Sequence, residues 1–165
     1  MSIALNELNR LSREEFVRVV GPVFEHSPWI AETAAQQQPF PDRSALHTAM
    51  CSIVRSADEA KQLALIRAHP DLVGRVVLTA ESNREQTAAG LMQLTPDEVA
   101  LFNHYNTEYK SRFGFPFIIC ARKNKKEAIL GAFPVRLKNS RETEIKTALD
   151  QIFQIAELRL ADLIV

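Results

Sequence analysis

Helix-start signals recur along this chain, and almost nothing in it reads as a strand. Ser12 followed by Glu15 fits a capping box, in which each side chain satisfies a backbone N–H that the first helical turn leaves unpaired. Ser56 with Glu59, Ser82 with Glu85, and Thr95-Pro96 with Glu98 repeat the pattern. Ser27-Pro28 puts a cap before a proline at the first helical position, and Asn124 and Ser140 are further cap candidates. Between these starts the apolar spacing is helical. Leu46, Met50, Ile53 and Val54 share one face, and Ile145, Leu149, Ile152, Ala156 and Leu163 share another. Gly114, just after Lys110 and Arg112, stands where a helix ends. Pro134 should kink or split the helical segment 127–137. Only the run Phe115-Pro116-Phe117-Ile118-Ile119-Cys120 reads as extended. One segment cannot make a sheet, so the expected fold is all-α, with about seven to nine helices and one short extended connection near 115–120. The backbone groups of a buried connection need hydrogen-bond partners, and binding a polar ligand is one use for them.

With 165 residues the chain suits one domain, expected over 1–165. A domain of that size buries roughly 70% of its unfolded surface, enough for a real core. Apolar residues at 46% and charged residues at 24% are an ordinary globular balance. Lys plus Arg equals Asp plus Glu at 20 each, so no basic excess points to nucleic acid. The two cysteines, Cys51 and Cys120, form no Cys-x-x-Cys pair and are expected to be reduced thiols. No apolar run is long enough for a membrane span, and neither end carries a secretory or peroxisomal signal, so the cytoplasm is the expected compartment.

Arg159 is the most informative candidate for chemistry. At about 100° per residue it falls inside the apolar stripe of the last helix, not opposite it. A guanidinium cannot be neutralised, so burying it demands an anion and several acceptors. A nearby glutamate would serve, as would a stem that packs while its head reaches water. A bound carboxylate would fit the planar two-pronged donor equally well. His69 sits before Pro70, which ends the preceding helix and holds His69 extended. An imidazole fixed there could move protons near neutral pH, or could simply cap the helix. Ser82 and Glu85 could line a site or form the capping box alone, with Arg84 and Gln86 as ordinary first-turn residues. His26, His47 and His104 show no metal spacing, so no zinc site is expected. Glycine-rich nucleotide loops and a Gly-x-Ser-x-Gly elbow are absent from the sequence.

Four stretches taken together resemble a known family: residues 66–72 with Arg67-Ala68-His69-Pro70-Asp71-Leu72; residues 78–91 with Ser82, Glu85 and Gln86; residues 109–120 with Arg112-Phe113-Gly114-Phe115-Pro116-Phe117; and residues 155–163 with Glu157-Leu158-Arg159-Leu160. In order and spacing they look like the 2-oxo-4-hydroxy-4-carboxy-5-ureidoimidazoline (OHCU) decarboxylases, from about Asn6 to Leu163. The resemblance implies an all-helical homodimer without metal or organic cofactor. It implies decarboxylation of OHCU, the last unstable intermediate of urate oxidation, to (S)-allantoin and carbon dioxide. His69, Glu85 and Arg159 would be its catalytic residues. Pro70, Ser82, Gln86 and the backbone of Phe117, Ile118 and Ile119 would contact the ligand. No position among these departs from the family pattern, and Pro134 has no counterpart in the motifs.

Such a substrate carries its carboxylate on a carbon next to a ring C=N, which can accept the electron pair that carbon dioxide leaves behind. It holds its own electron sink, so pyridoxal or thiamine is not needed. The other readings open to the sequence are a helical ligand-binding or dimerisation module without catalysis, and a hydrolase of ureido compounds in the same pathway.

Overall fold

A computed structural model describes residues 1–74 and 78–165. Among the described residues there are nine α-helices and no strand. They are α1 (Leu5–Leu8), α2 (Arg13–Val20), α3 (Pro28–Ala34), α4 (Arg43–Ser56), α5 (Glu59–Arg67), α6 (Ala80–Ala88), α7 (Pro96–Phe113), α8 (Lys126–Leu137) and α9 (Arg141–Leu163). The all-α expectation holds. No helix among the described residues is long and apolar enough to cross a membrane.

Local chemistry explains where the helices start, and it corrects several expected caps. Ser12–Glu15 and Thr95–Glu98 form complete capping boxes, and Ser140 Oγ accepts from the Thr143 N–H. Gly114 ends α7 in the left-handed conformation, with φ 81°, and its N–H reaches Lys110 O. Ser56 caps nothing: it is the last residue of α4, and Asp58 caps α5 by accepting from the Lys61 N–H. Ser27 stands at the cap position of α3, but its hydroxyl donates to Glu25 O instead. Asn124 precedes the cap position of α8 and donates its side-chain amide to Cys120 O. Pro134 does not split α8, which runs unbroken through it.

The chain divides into two compact units. The first comprises 1–68 and 153–165. Its core includes Leu8, Phe16, Ile30, Leu46, Met50, Val54 and Leu65, with Phe16 stacked on Phe40. On α4 the expected apolar face is buried at Leu46, Met50 and Val54, while Ile53 is only half-buried. Ile3 pairs with the chain near Ile164 through two backbone hydrogen bonds, Ile3 N–H to Leu163 O and Val165 N–H to Ile3 O. Cys51 is buried beside His47, and burial pushes its thiol up to about 11.

The second unit comprises 69–152. Its core is aromatic: Phe102, Tyr109, Phe113, Phe115, Phe117 and Phe133 are all buried. Phe117 stacks on Phe133 with ring centroids 3.8 Å apart, and Tyr109 meets Phe117 edge-on. A buried polar network crosses this core. Tyr109 donates its hydroxyl to Glu144 Oε1, Arg136 Nε donates to the same oxygen, and Asn139 Nδ2 donates to Glu144 Oε2. A fully buried carboxylate is tolerable only because its oxygens are met by donors in this way. The segment 115–120 is irregular and buried apart from a half-buried Ile119, as expected of a connection.

Candidate active site

Two helix-borne side chains hold the connection in the second unit. Arg136 Nη1 donates to Ile118 O, and Gln151 Oε1 accepts the Cys120 N–H at 2.9 Å. Among the described residues, the N–H of Ile118 and both backbone groups of Phe117 and Ile119 have no protein hydrogen-bond partner. Buried backbone groups left in this state are rare, and they can serve a polar ligand.

Helix α6 belongs to the same unit. Its cap is Thr79, whose hydroxyl accepts from the Ser82 N–H. The capping role that the sequence pattern assigned to Ser82 therefore falls to Thr79, and Ser82 and Glu85 stand inside the helix. Ser82, Glu85 and Gln86 are spaced three and four apart, so they share one face. Ser82 and Gln86 are 6% and 4% exposed, and Glu85 is half-buried. A helix has little reason to bury serine and glutamine side chains unless their polar atoms are used. Glu85 lies close enough to Cys120 for its charge to help raise that thiol, after the larger effect of burial. The turn Ala121–Lys123 also packs against α6, so the face bearing Glu85 and the end of the connection lie together.

His69 begins the second unit, directly after Ala68, the C-terminal cap residue of α5. It is 8% exposed. Pro70 restricts His69 to extended conformations, and a tight turn follows, closed by Gly74 N–H to Asp71 O. Three contacts from α6 and α7 fix that turn. Lys110 pairs with Asp71 at 2.8 Å, Asn106 Nδ2 donates to Leu72 O at 2.7 Å, and Gln86 Oε1 accepts the Val73 N–H at 3.2 Å. The structure thus brings the His69-Pro70 segment, the Ser82/Glu85/Gln86 face and the connection at Phe117–Ile119 into one unit.

Arg159 lies in the first unit. It is 7% exposed, as its place in the apolar stripe requires, and the stripe itself is buried at Leu149, Ile152 and Ala156. Its Nη2 donates to Glu25 Oε1 at 3.0 Å, and Nη1 faces the carbonyl oxygens of Pro22 and Val23 at 3.5 and 3.4 Å. The glutamate partner was one of the readings open at the sequence level. Glu25 itself was not identifiable, because the pair spans 134 residues of chain. Asn106 was missed as well, since an isolated asparagine mid-helix gives no motif. Among the described residues no cluster of His, Cys, Asp and Glu could hold a metal ion.

The fold and these residues define a small all-helical protein with His69, Glu85 and the buried amides of Gln86 and Asn106 in one compact unit. The family model for OHCU decarboxylase matches residues 9–161, and the chain belongs to that family. It is 42% identical over 160 residues to the 2-oxo-4-hydroxy-4-carboxy-5-ureidoimidazoline decarboxylase of Haloferax volcanii, covering 97% of this chain and 95% of that one. The protein of the same name from Amia calva is 42% identical over 164 residues, covering 97% and 94%. Among solved structures, an OHCU decarboxylase crystallised in the presence of (S)-allantoin superposes with a TM-score of 0.71 at 25% identity, covering 90% of this chain and 96% of that one.

Proposed function

We propose that this chain decarboxylates OHCU to (S)-allantoin and carbon dioxide in urate breakdown, without a cofactor. The observation that supports this most directly is on α6. Thr79 takes the cap, so Ser82, Glu85 and Gln86 stand inside the helix on one face, with the polar side chains of Ser82 and Gln86 buried there. In this reading Arg159 binds anionic or carbonyl oxygen of the substrate and sets its pose, with Glu25 orienting the guanidinium. His69 acts as general acid and base at the hydroxyl- and carboxyl-bearing carbon. Glu85 and the Gln86 amide nitrogen hold the ureido group, and Ser82 adds one hydrogen bond. Pro70 and the backbone of Phe117, Ile118 and Ile119 complete the contacts.

The bond to the carboxyl group breaks, carbon dioxide leaves, and its electron pair moves into the adjacent C=N, whose nitrogen takes up a proton. The resulting enol returns to the carbonyl form: its hydroxyl gives up a proton, and the ureido-bearing carbon receives one on a single face. That last step fixes the hand of allantoin.

The same reading takes the chain to be one cooperative domain acting as a cytoplasmic homodimer. A single unfolding transition, sedimentation at twice the chain mass and cell fractionation test those three points. The function itself is tested by circular dichroism on freshly enzyme-oxidised urate. Growth of an optically active allantoin signal well ahead of spontaneous decay supports it. A signal that only tracks the background overturns it, and ammonia released in place of carbon dioxide would identify a ureido hydrolase. His69→Asn should lose about a thousandfold in rate with its helical content intact.

A further inference from the structure

The turn after His69-Pro70 is held in an orientation its own residues disfavour. Asp71, Leu72, Val73 and Gly74 form a β-turn, with Val73 at the third position and φ +60°. Turns with a positive φ there place glycine or asparagine at that position, and a β-branched residue is strained. Rotating the central peptide, between Leu72 and Val73, would convert the turn to the common type with negative φ and remove the strain.

Both ends of that one peptide are gripped. Its C=O accepts from Asn106 Nδ2 at 2.7 Å, and its N–H donates to Gln86 Oε1 at 3.2 Å. Asn106 is 6% exposed, and among the described residues its Oδ1 has no partner. An apolar side chain would fill that place on α7 without burying an unmatched carbonyl, so packing does not account for the asparagine. Its donation to Leu72 O does. One turn further along α7, Lys110 holds the first residue of the turn, Asp71.

We infer that Asn106 is a positioning residue: with Gln86 it locks the Leu72–Val73 peptide in its strained orientation and thereby fixes the adjoining His69-Pro70 segment for catalysis. This rests on the reading of His69 as the proton-transferring group. Gln86 then joins substrate to turn, because its oxygen holds the peptide while its nitrogen would face the ureido group.

The test is a double-mutant cycle with Val73→Gly, which makes a positive φ cost-free at the strained position. Asn106→Ala should lower kcat at least about tenfold in the natural background and less than about threefold in the Val73→Gly background, while KM moves little. Loss of mere packing would give the same penalty in both backgrounds and would overturn the proposal, as would unchanged kcat in Asn106→Ala. Should Asn106→Ala fail to fold, Asn106→Ser replaces it. Amide exchange in the unaltered protein gives an independent readout: Val73 N–H should be protected, and exchange at the free-peptide rate would overturn the clamp. His69→Asn at full turnover, with Val73 protected and the cycle coupled, would instead overturn the catalytic reading and leave the clamp as structure alone.

Discussion

Tyr109 donates its hydroxyl to Glu144 Oε1 at 2.6 Å, and neither side chain reaches solvent. Burial, and the bond to this carboxylate, hold the phenol well above its ordinary range, so it stays a donor at any working pH. The same oxygen receives Arg136 Nε, whose Nη1 supports Ile118 O in the connection. Glu144 therefore anchors the arginine that shapes part of the candidate site. Glu144→Ala should cost about 3 kcal/mol or more, because it leaves Arg136 buried without its counter-charge. Tyr109→Phe should cost about 1–2 kcal/mol. Urea midpoints measure both. A loss below ~1 kcal/mol for Glu144→Ala would show that Arg136 finds solvent or another acceptor.

Caps that the sequence misplaced give a second prediction. Thr79→Ala should destabilise by about 1 kcal/mol, and so should Asp58→Ala, since each removes a bonded cap. Ser56→Ala should change stability by less than about 0.5 kcal/mol, because Ser56 is exposed at the end of α4 and caps nothing. Ser82→Ala should leave the cap intact and weaken substrate binding. Thermal unfolding and KM read the four variants together, and a Ser82 variant with a cap-sized stability loss and unchanged KM would return that serine to a structural role.

These misplacements show what was legible in the sequence. Ser-x-x-Glu is a local pattern, and it succeeded at Ser12 and failed at Ser56 and Ser82 because a better cap, Asp58 or Thr79, lay within three residues. Helical class was readable because period and punctuation act over a few residues. The burial of Arg159 was readable for the same reason, since its place in an apolar stripe is a property of one helix. Its partner Glu25, and the grip of Asn106 on Leu72, depend on contacts across 134 and 34 residues, which no local pattern encodes. The motif residues of the second unit were recognisable only through resemblance; each alone reads as an ordinary cap or helix-end residue.

The Thr95–Glu98 box predicts a pH dependence. The Thr95 backbone N–H, followed by Lys126 at 3.0 Å, holds the Glu98 carboxyl below its usual range. A depressed folded value means that the contribution is complete above the unfolded carboxylate value and is lost as pH falls through the folded one. Wild type and Glu98→Gln should therefore differ in urea midpoint above about pH 5, and the difference should shrink as pH falls below the ordinary carboxylate range. A difference that persists at low pH would mean that the glutamine variant loses packing and not charge.

Arg159 separates structure from catalysis most sharply, because a buried guanidinium paired with Glu25 could be nothing more than an internal ion pair. Arg159→Lys keeps the charge and loses the planar fork. A lysine can still approach Glu25, so the stability loss should stay within about 2 kcal/mol. If the arginine also holds substrate oxygen, kcat/KM should fall at least about a hundredfold, beyond anything that loss of fold explains. Glu25→Gln keeps one acceptor for Nη2 and removes the counter-charge; it should raise KM, with a smaller effect on kcat. Steady-state rates with urea midpoints on both variants decide the matter. A lysine variant that is less stable but kinetically unchanged would confine Arg159 to the ion pair. A stable but inactive one would give it the anchoring role.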